Sequence, residues 1–242
     1  MQNSNLPLAL TMGDPAGIGP EIIVKSINKL KMTNYVVFGD AMVFENIIKI
    51  LGIPLRLNCI NSLSEAIFDK DVLNLLVTSE LKSKPNFGET SKESGRASYD
   101  AILETIKLAK QKKLLGVVTA PINKKALNLA NISFPGHTEI FSEHSKSNNV
   151  SMMLCNDSIK TVLVTLHCSM AEALKKICVE HEFKAIKNAY IGAKMFGIKD
   201  PIIAVAALNP HAGEMGLFGN EEKVVIEPAI ELAKEKGIDA RG

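Results

Sequence analysis

The chain carries a recurring pattern of short, non-alternating apolar runs: Leu8–Met12, Tyr35–Gly39, Leu75–Thr78, Leu115–Thr119, Ser151–Cys155, Thr161–His167 and Ile202–Leu208. Each is strand-length and rich in Val, Ile and Leu, as expected of strands buried on both faces. Longer segments with helical spacing lie between them. Ile22, Ile23, Ile27 and Leu30 share one face after Pro20. Ala101, Ile102, Thr105, Ile106 and Ala109 share a second, and Phe183, Ile186, Ala189, Tyr190 and Ala193 a third. Strands alternating with helices predict an α/β fold with a largely parallel sheet.

Helix starts are marked by Pro20 after Gly19 and by the capping-box spacing of Ser169 and Glu172. The polar stretch Ser79–Gly95 predicts an exposed loop, and Ser142–Asn149 a second break. Two domains around a cleft are expected, with the division in the 120–150 region: residues 1–125 as a first α/β domain and 126–242 as a second. Residues 221–236 predict a helix, after which the alternation calls for a strand close to where the chain ends.

Composition narrows the class. The 242 residues carry 28 Lys and Arg against 26 Asp and Glu, a net charge of +2, with no basic run. This balance argues against nucleic-acid or membrane-surface partners. Four cysteines at long, irregular spacings form no zinc ribbon or disulfide framework. The amino-terminal MQNSNLPLALTMGD lacks a basic region followed by a long apolar stretch, so it does not read as a secretory signal. A soluble cytoplasmic protein is the expectation.

Candidate chemistry clusters just past the apolar runs. Gly13, Gly17 and Gly19 have neither the dinucleotide nor the Walker spacing. A tight turn and an anion loop that includes Asp14 both remain open for this segment. His167 and His211 end two apolar runs, where α/β sheets present ligand groups. They could share a metal or serve as hydrogen-bonded structural residues, and two ligands are fewer than a catalytic zinc uses. His137 and Thr138 follow a Pro135-Gly136 turn and read as a substrate loop or as a helix start capped by Thr138. Lys124 follows another strand end. His144 and His181 read as surface residues, and Cys168 as a buried thiol.

Five segments combine into a specific signal. They are Gly13–Glu21 (GDPAGIGPE), Val118–Lys124 (VTAPINK), Pro135–Glu139 (PGHTE), Thr165–His167 (TLH) and Leu208–Glu214 (LNPHAGE). In this order they resemble the 4-hydroxythreonine-4-phosphate dehydrogenase family of pyridoxal phosphate biosynthesis. The resemblance implies the isocitrate/isopropylmalate dehydrogenase-like fold, three-layer α/β/α with two domains around a cleft, and a homodimer whose cleft site is shared between subunits. It implies NAD (or NADP) as hydride acceptor and a divalent metal: zinc, with magnesium or cobalt as substitutes. It implies substrate binding by His137 and Thr138 and metal ligation by His167 and His211. Asp14, Lys124 and Asn209 lie in the family motifs as secondary site candidates. The family's third metal histidine and further substrate groups fall beyond the last residue here, so this chain is expected to be poorly active by itself. The implied reaction is oxidation and decarboxylation of 4-phosphooxy-L-threonine to 3-amino-2-oxopropyl phosphate. Competing readings are a dehydrogenase for threonate 4-phosphate, a phosphate acyltransferase of the same fold, and a non-catalytic module that binds phosphorylated ligands.

Overall fold

Leu8–Thr11 (β1) lies between two parallel neighbours, with Leu8 opposite Tyr35 on one side and Gly116 on the other. The computed structural model describes residues 6–242. The first five, part of the amino-terminal stretch read above as no signal, lie outside the described residues. The other strands of this sheet are Tyr35–Asp40 (β2), Arg56–Ile60 (β3), Val72–Ser79 (β4) and Gly116–Thr119 (β5), in the order β3-β4-β2-β1-β5. Every pairing in it is parallel, as the apolar runs predicted. β3 was not foreseen: it mixes Arg56 and Asn58 with Leu57 and Ile60 and sits at the sheet's edge, where only Ile60 is buried.

Helices complete the layers. Gly19–Leu30 (α1) buries Ile23, Val24 and Ile27, and Ala41–Leu51 (α2) buries Val43, Phe44 and Ile47, both against one face of the sheet. Asp40 caps α2 by accepting from the Val43 N–H, and Gly52 closes it with left-handed backbone. Lys92–Lys110 (α3) covers the opposite face through Ala101 and Leu108. Ser91 caps α3, so residues 92–95, expected in the exposed loop, form its first turn, with Ser94 and Gly95 buried.

Lys124–Leu129 (α4) and His137–Ser145 (α5) pack on α3 through Ile102, Ile106, Leu127, Ile132 and Ile140. That cluster is why residues 126–147 belong with the first compact unit. The chain divides into 1–147 and 148–242, later than residue 125. α5 also takes up residues 142–145, expected as a polar break.

The second unit is built differently. Met153–Cys155 (β6) and Lys160–Val162 (β7) form an antiparallel pair, a departure from the expected parallel pattern. The Asn156 side chain imposes the reversal by accepting from the Ser158 and Ile159 N–H groups. Of the run Thr161–His167 only the first two residues are strand, and of Ile202–Leu208 only Ile203–Ala204 (β8). β8 pairs in parallel with Ala240–Arg241 (β9), the strand that the alternation called for after the last helix. Met170–Lys176 (α6) starts at the expected capping box, with Ser169 and Glu172 bonding each other's backbone N–H. Val179–Met195 (α7) and Glu227–Glu235 (α8) share a core of Ile186, Ile226, Ile230 and Ile238. The helix predicted over 221–236 opens with a π-helical turn at Glu222–Ile226 before α8.

Candidate active site

In the first unit the site candidates gather at the carboxyl edge of the sheet. The chain leaves β1 toward β2 on one side, while β5 lies on the other, so β1 and β5 flank the point where strand order reverses. Such a point opens a crevice that α/β folds use for ligands. The loop after β1 is fastened to the loop after β5: the Asp14 N–H donates to the Pro121 carbonyl at 2.8 Å. Gly13 makes the approach possible. Its φ is +72°, and a Cβ there would stand 2.4 Å from the Pro121 oxygen. The Ser98 hydroxyl holds the Gly13 carbonyl at 2.9 Å. A third loop joins when the Gly88 N–H donates to the Ala16 carbonyl at 2.8 Å.

Asp14 is buried and accepts from the Ala16 N–H at 3.0 Å, so this carboxylate shapes the loop that holds it. Gly19 and Pro20 begin α1 directly after the loop, whose helix N-terminus favours anions. Lys124 is exposed at the start of α4, behind the Asn123 cap that accepts from the Lys125 and Ala126 N–H groups. The Thr11 hydroxyl, at the end of β1, is buried without a partner.

His137 and Thr138 open α5. The helix is capped at Gly136, and Thr138 makes no capping bond, which removes the helix-cap alternative for it. His137 Nε2 is buried with no hydrogen-bond partner. Burial lowers the imidazole's pKa and favours the neutral ring. An orphaned nitrogen of this kind is costly to bury unless something else meets it. His144, expected on the surface, instead packs within a ring cluster, edge-on to both Tyr99 and Phe134, with Nε2 2.5 Å from the Tyr99 hydroxyl.

In the second unit His167 and His211 are both exposed. His167 has φ +52°, and the loop after His211 runs through left-handed backbone at Ala212, Gly213, Glu214 and Met215. Non-glycine residues hold such angles at a cost of about 1–3 kcal/mol each, and strain of this kind concentrates at functional loops. His211 Nδ1 lies 2.9 Å from Glu214 Oε1, which leaves Nε2 directed elsewhere. A carboxylate on one imidazole nitrogen is how proteins orient a histidine toward a metal. Among the described residues, however, no group of three or more His, Cys, Asp or Glu is placed to hold a metal. The donor chemistry fits a divalent cation, but these residues do not form a complete ligand set.

Asn209 folds this loop. Its side chain accepts from the His211 N–H at 2.8 Å and donates to the Phe218 carbonyl, while its own N–H donates to Glu222. Sequence reasoning missed Glu222, whose carboxyl is held below its usual pKa by the Asn209 N–H. His181 is exposed as expected, and Cys168 is half-buried.

Comparison with known proteins decides the family. The model of the pyridoxal phosphate biosynthetic protein PdxA matches residues 31–242. The chain belongs to the PdxA family. It is 50% identical over 237 residues to the 4-hydroxythreonine-4-phosphate dehydrogenase of Beijerinckia indica, covering 98% of this chain and 70% of that protein. It is 36% identical to the D-threonate 4-phosphate dehydrogenase of Pectobacterium atrosepticum, over 97% of this chain and 73% of that one. The crystal structure of a Klebsiella pneumoniae 4-hydroxythreonine-4-phosphate dehydrogenase superposes with a TM-score of 0.88 at 34% identity, covering 98% of this chain and 74% of that one. The α/β fold and membership of a dehydrogenase family are therefore as the motifs implied. Among the described residues no helix is long and apolar enough to cross a membrane.

Proposed function

We propose that this PdxA-family chain serves the oxidation and decarboxylation of 4-phosphooxy-L-threonine to 3-amino-2-oxopropyl phosphate in vitamin B6 biosynthesis. The observation that carries the reading is the 50% identity to one 4-hydroxythreonine-4-phosphate dehydrogenase, above the 34–37% found for other relatives of either name.

In this reading His137 and Thr138 bind substrate. A neutral imidazole with a buried, unpartnered Nε2 can meet a substrate hydroxyl or carboxylate, and the Thr138 hydroxyl adds a second polar contact. Asp14 keeps the crevice loop in shape, and Lys124 with the start of α1 supplies positive potential for a phosphate. His167 and His211 hold the divalent cation (zinc, or magnesium or cobalt in its place), with Glu214 orienting His211 and Asn209 setting the loop. NAD (or NADP) would supply a hydride acceptor for the carbinol carbon, and a cation held by the two histidines would supply positive charge for the oxygen in oxidation and in loss of carbon dioxide. Two copies of the chain pair and share the site. A cytoplasmic setting suits the four free thiols.

Steady-state NADH production on the two phosphorylated acids, with zinc present, tests the proposal. The substrates differ by an amine against a hydroxyl, and a site that hydrogen-bonds one discriminates against the other by about a hundredfold or more in kcat/KM. A preference for D-threonate 4-phosphate would replace the proposed substrate with that of the Pectobacterium relative. Turnover on neither, with phosphorylated ligand still bound and with the family's carboxyl-terminal region supplied, would favour a binding module.

A further inference from the structure

Glu182 is the charged side chain that neither the fold nor the proposed reaction uses. It lies in the first turns of α7, 94% buried, and no hydrogen bond or ion pair to its carboxyl is found among the described residues. The nearby cations in sequence and space are committed elsewhere. Lys160 Nζ donates to the Asn156 carbonyl and lies 5.1 Å from the Phe196 ring centre. Lys184 Nζ donates to the Asn148 carbonyl at 2.7 Å, and His181 Nδ1 meets the Lys176 carbonyl. Burial alone raises the Glu182 pKa, because nothing stabilises the charge.

The carboxyl borders a cavity of about 840 Å³ within the second unit. Its walls are aliphatic where α7 faces the strand segments: Ala185, Ile186 and Ala189 on one side, Ile202 and Val205 on the other. Ser158, Lys160, Thr161, Thr165 and Asp200 also border it. Largely apolar walls with a few polar groups, around a volume of this order, are the ordinary attributes of a small-molecule site. Of the cavity's two carboxylates Glu182 is the buried one, Asp200 being exposed, and it selects the ligand's chemistry. It can be satisfied only by a donor, and most strongly by a positively charged one.

We propose that this cavity binds a small organic cation with an apolar body, a primary alkylamine in the simplest case, with its ammonium group on Glu182. The cavity reaches Thr165 and Leu208, the first residues of the two histidine segments, but Glu182 lies on α7 outside both, so binding at Glu182 does not depend on the dehydrogenase chemistry. A protonated, ligand-free Glu182 beside water is the competing state.

Titration calorimetry on the 242-residue chain with n-hexylamine and n-hexanol separates the two. The amine should bind at least about tenfold more tightly than the alcohol, because charge-assisted hydrogen bonding distinguishes them. Glu182→Gln, which keeps the volume, should weaken the amine by about tenfold and leave the alcohol within about twofold. Glu182→Leu should lose the preference for the amine altogether, and its melting temperature reports whether it folds. No binding of the amine, equal binding of amine and alcohol, or unchanged amine affinity in Glu182→Gln would each overturn the proposal.

Discussion

The first unit turns apolar sequence into a regular sheet, whereas the second leaves much of it unpaired. Tyr35, Val36, Val37 and Phe38 are all fully buried between β1 and β4, with helices on both faces. The equally apolar run at Ile202–Leu208 yields two residues of strand, and Ile202 remains 56% exposed. Apolar character supplies the drive to bury, but a strand also needs neighbours for its N–H and C=O groups. The first unit provides these along every central strand. The second provides a hairpin, one short parallel pair and a strained loop. It is also the second unit that carries both candidate metal histidines, so rigidity and the proposed redox chemistry are assigned to opposite ends of the chain.

The largest test of that contrast is catalytic. With the family's carboxyl-terminal region supplied, His211→Ala and His167→Ala should reduce zinc-dependent NADH production by about a thousandfold while circular dichroism stays unchanged. Glu214→Gln, which disturbs only the orientation of His211, should reduce it by about 10–100-fold, partly rescued by excess zinc. Equal losses in all three would show that the loop, rather than ligation, is what matters.

A pair of glycines compares the stiffness of the units. A Cβ at Gly95 would lie 2.0 Å from the Ala126 backbone oxygen, where α3 crosses α4. Gly95→Ala should therefore cost about 3 kcal/mol or more, read as a lower urea midpoint. A Cβ at Gly192 would lie 2.3 Å from Met153 Cε, the far end of a flexible side chain. Gly192→Ala should stay within about 1 kcal/mol of the parent, because Met can move and alanine favours the helix.

The third test is a pH dependence. The folded-state pKa of Glu182 lies above the ordinary 4.5 because burial disfavours its charge. Its contribution to stability is thus full below pH 4.5 and is lost as the pH rises through the folded value. Melting curves of Glu182→Gln should match the parent near pH ~4 and rise above it at neutral pH. A constant offset across that range would mean the carboxyl does not titrate in a buried setting.

The smallest effect belongs to the capping box. Ser169→Ala removes the Ser169–Glu172 exchange, worth about 1 kcal/mol to a helix. No residue of α6 is buried, so the loss should appear as faster amide exchange over 170–176 and scarcely in global melting.

The sequence made the first unit legible because its signals were redundant. β1, β2, β4 and β5 are apolar runs, and α1 and α3 show their buried faces at helical spacing. β3 escaped because an edge strand with Arg56 and Asn58 lacks that signal. The compact first unit runs to residue 147, inside the expected 120–150 region, because Leu127, Ile132 and Ile140 side with α3. In the second unit the antiparallel β6–β7 hairpin depended on one asparagine side chain, which a search for apolar runs passes over. The candidate site was legible as motifs, and family membership followed from them. The roles of Asn209 and Glu222 in folding the His211 loop, and the burial of Glu182, needed three-dimensional neighbours. Helical spacing does put Glu182 on the face of Ile186, four residues on, but its charge argues against burial there.

The placement of β1 also has a consequence in time. One of its neighbours, β2, follows within the next few dozen residues, but the other, β5, ends at Thr119. On a ribosome adding about 5–20 residues per second, β1 and β2 wait on the order of 4–16 s for the strand that completes their layer. During that wait the outer side of β1 presents unpaired backbone groups among Leu8, Ala9 and Leu10, a surface to which other nascent chains could add. For this protein, the speed of translation through residues 40–119 is therefore a determinant of yield: slowing it lengthens exposure, and holding a chaperone on the nascent chain until Thr119 emerges shortens it.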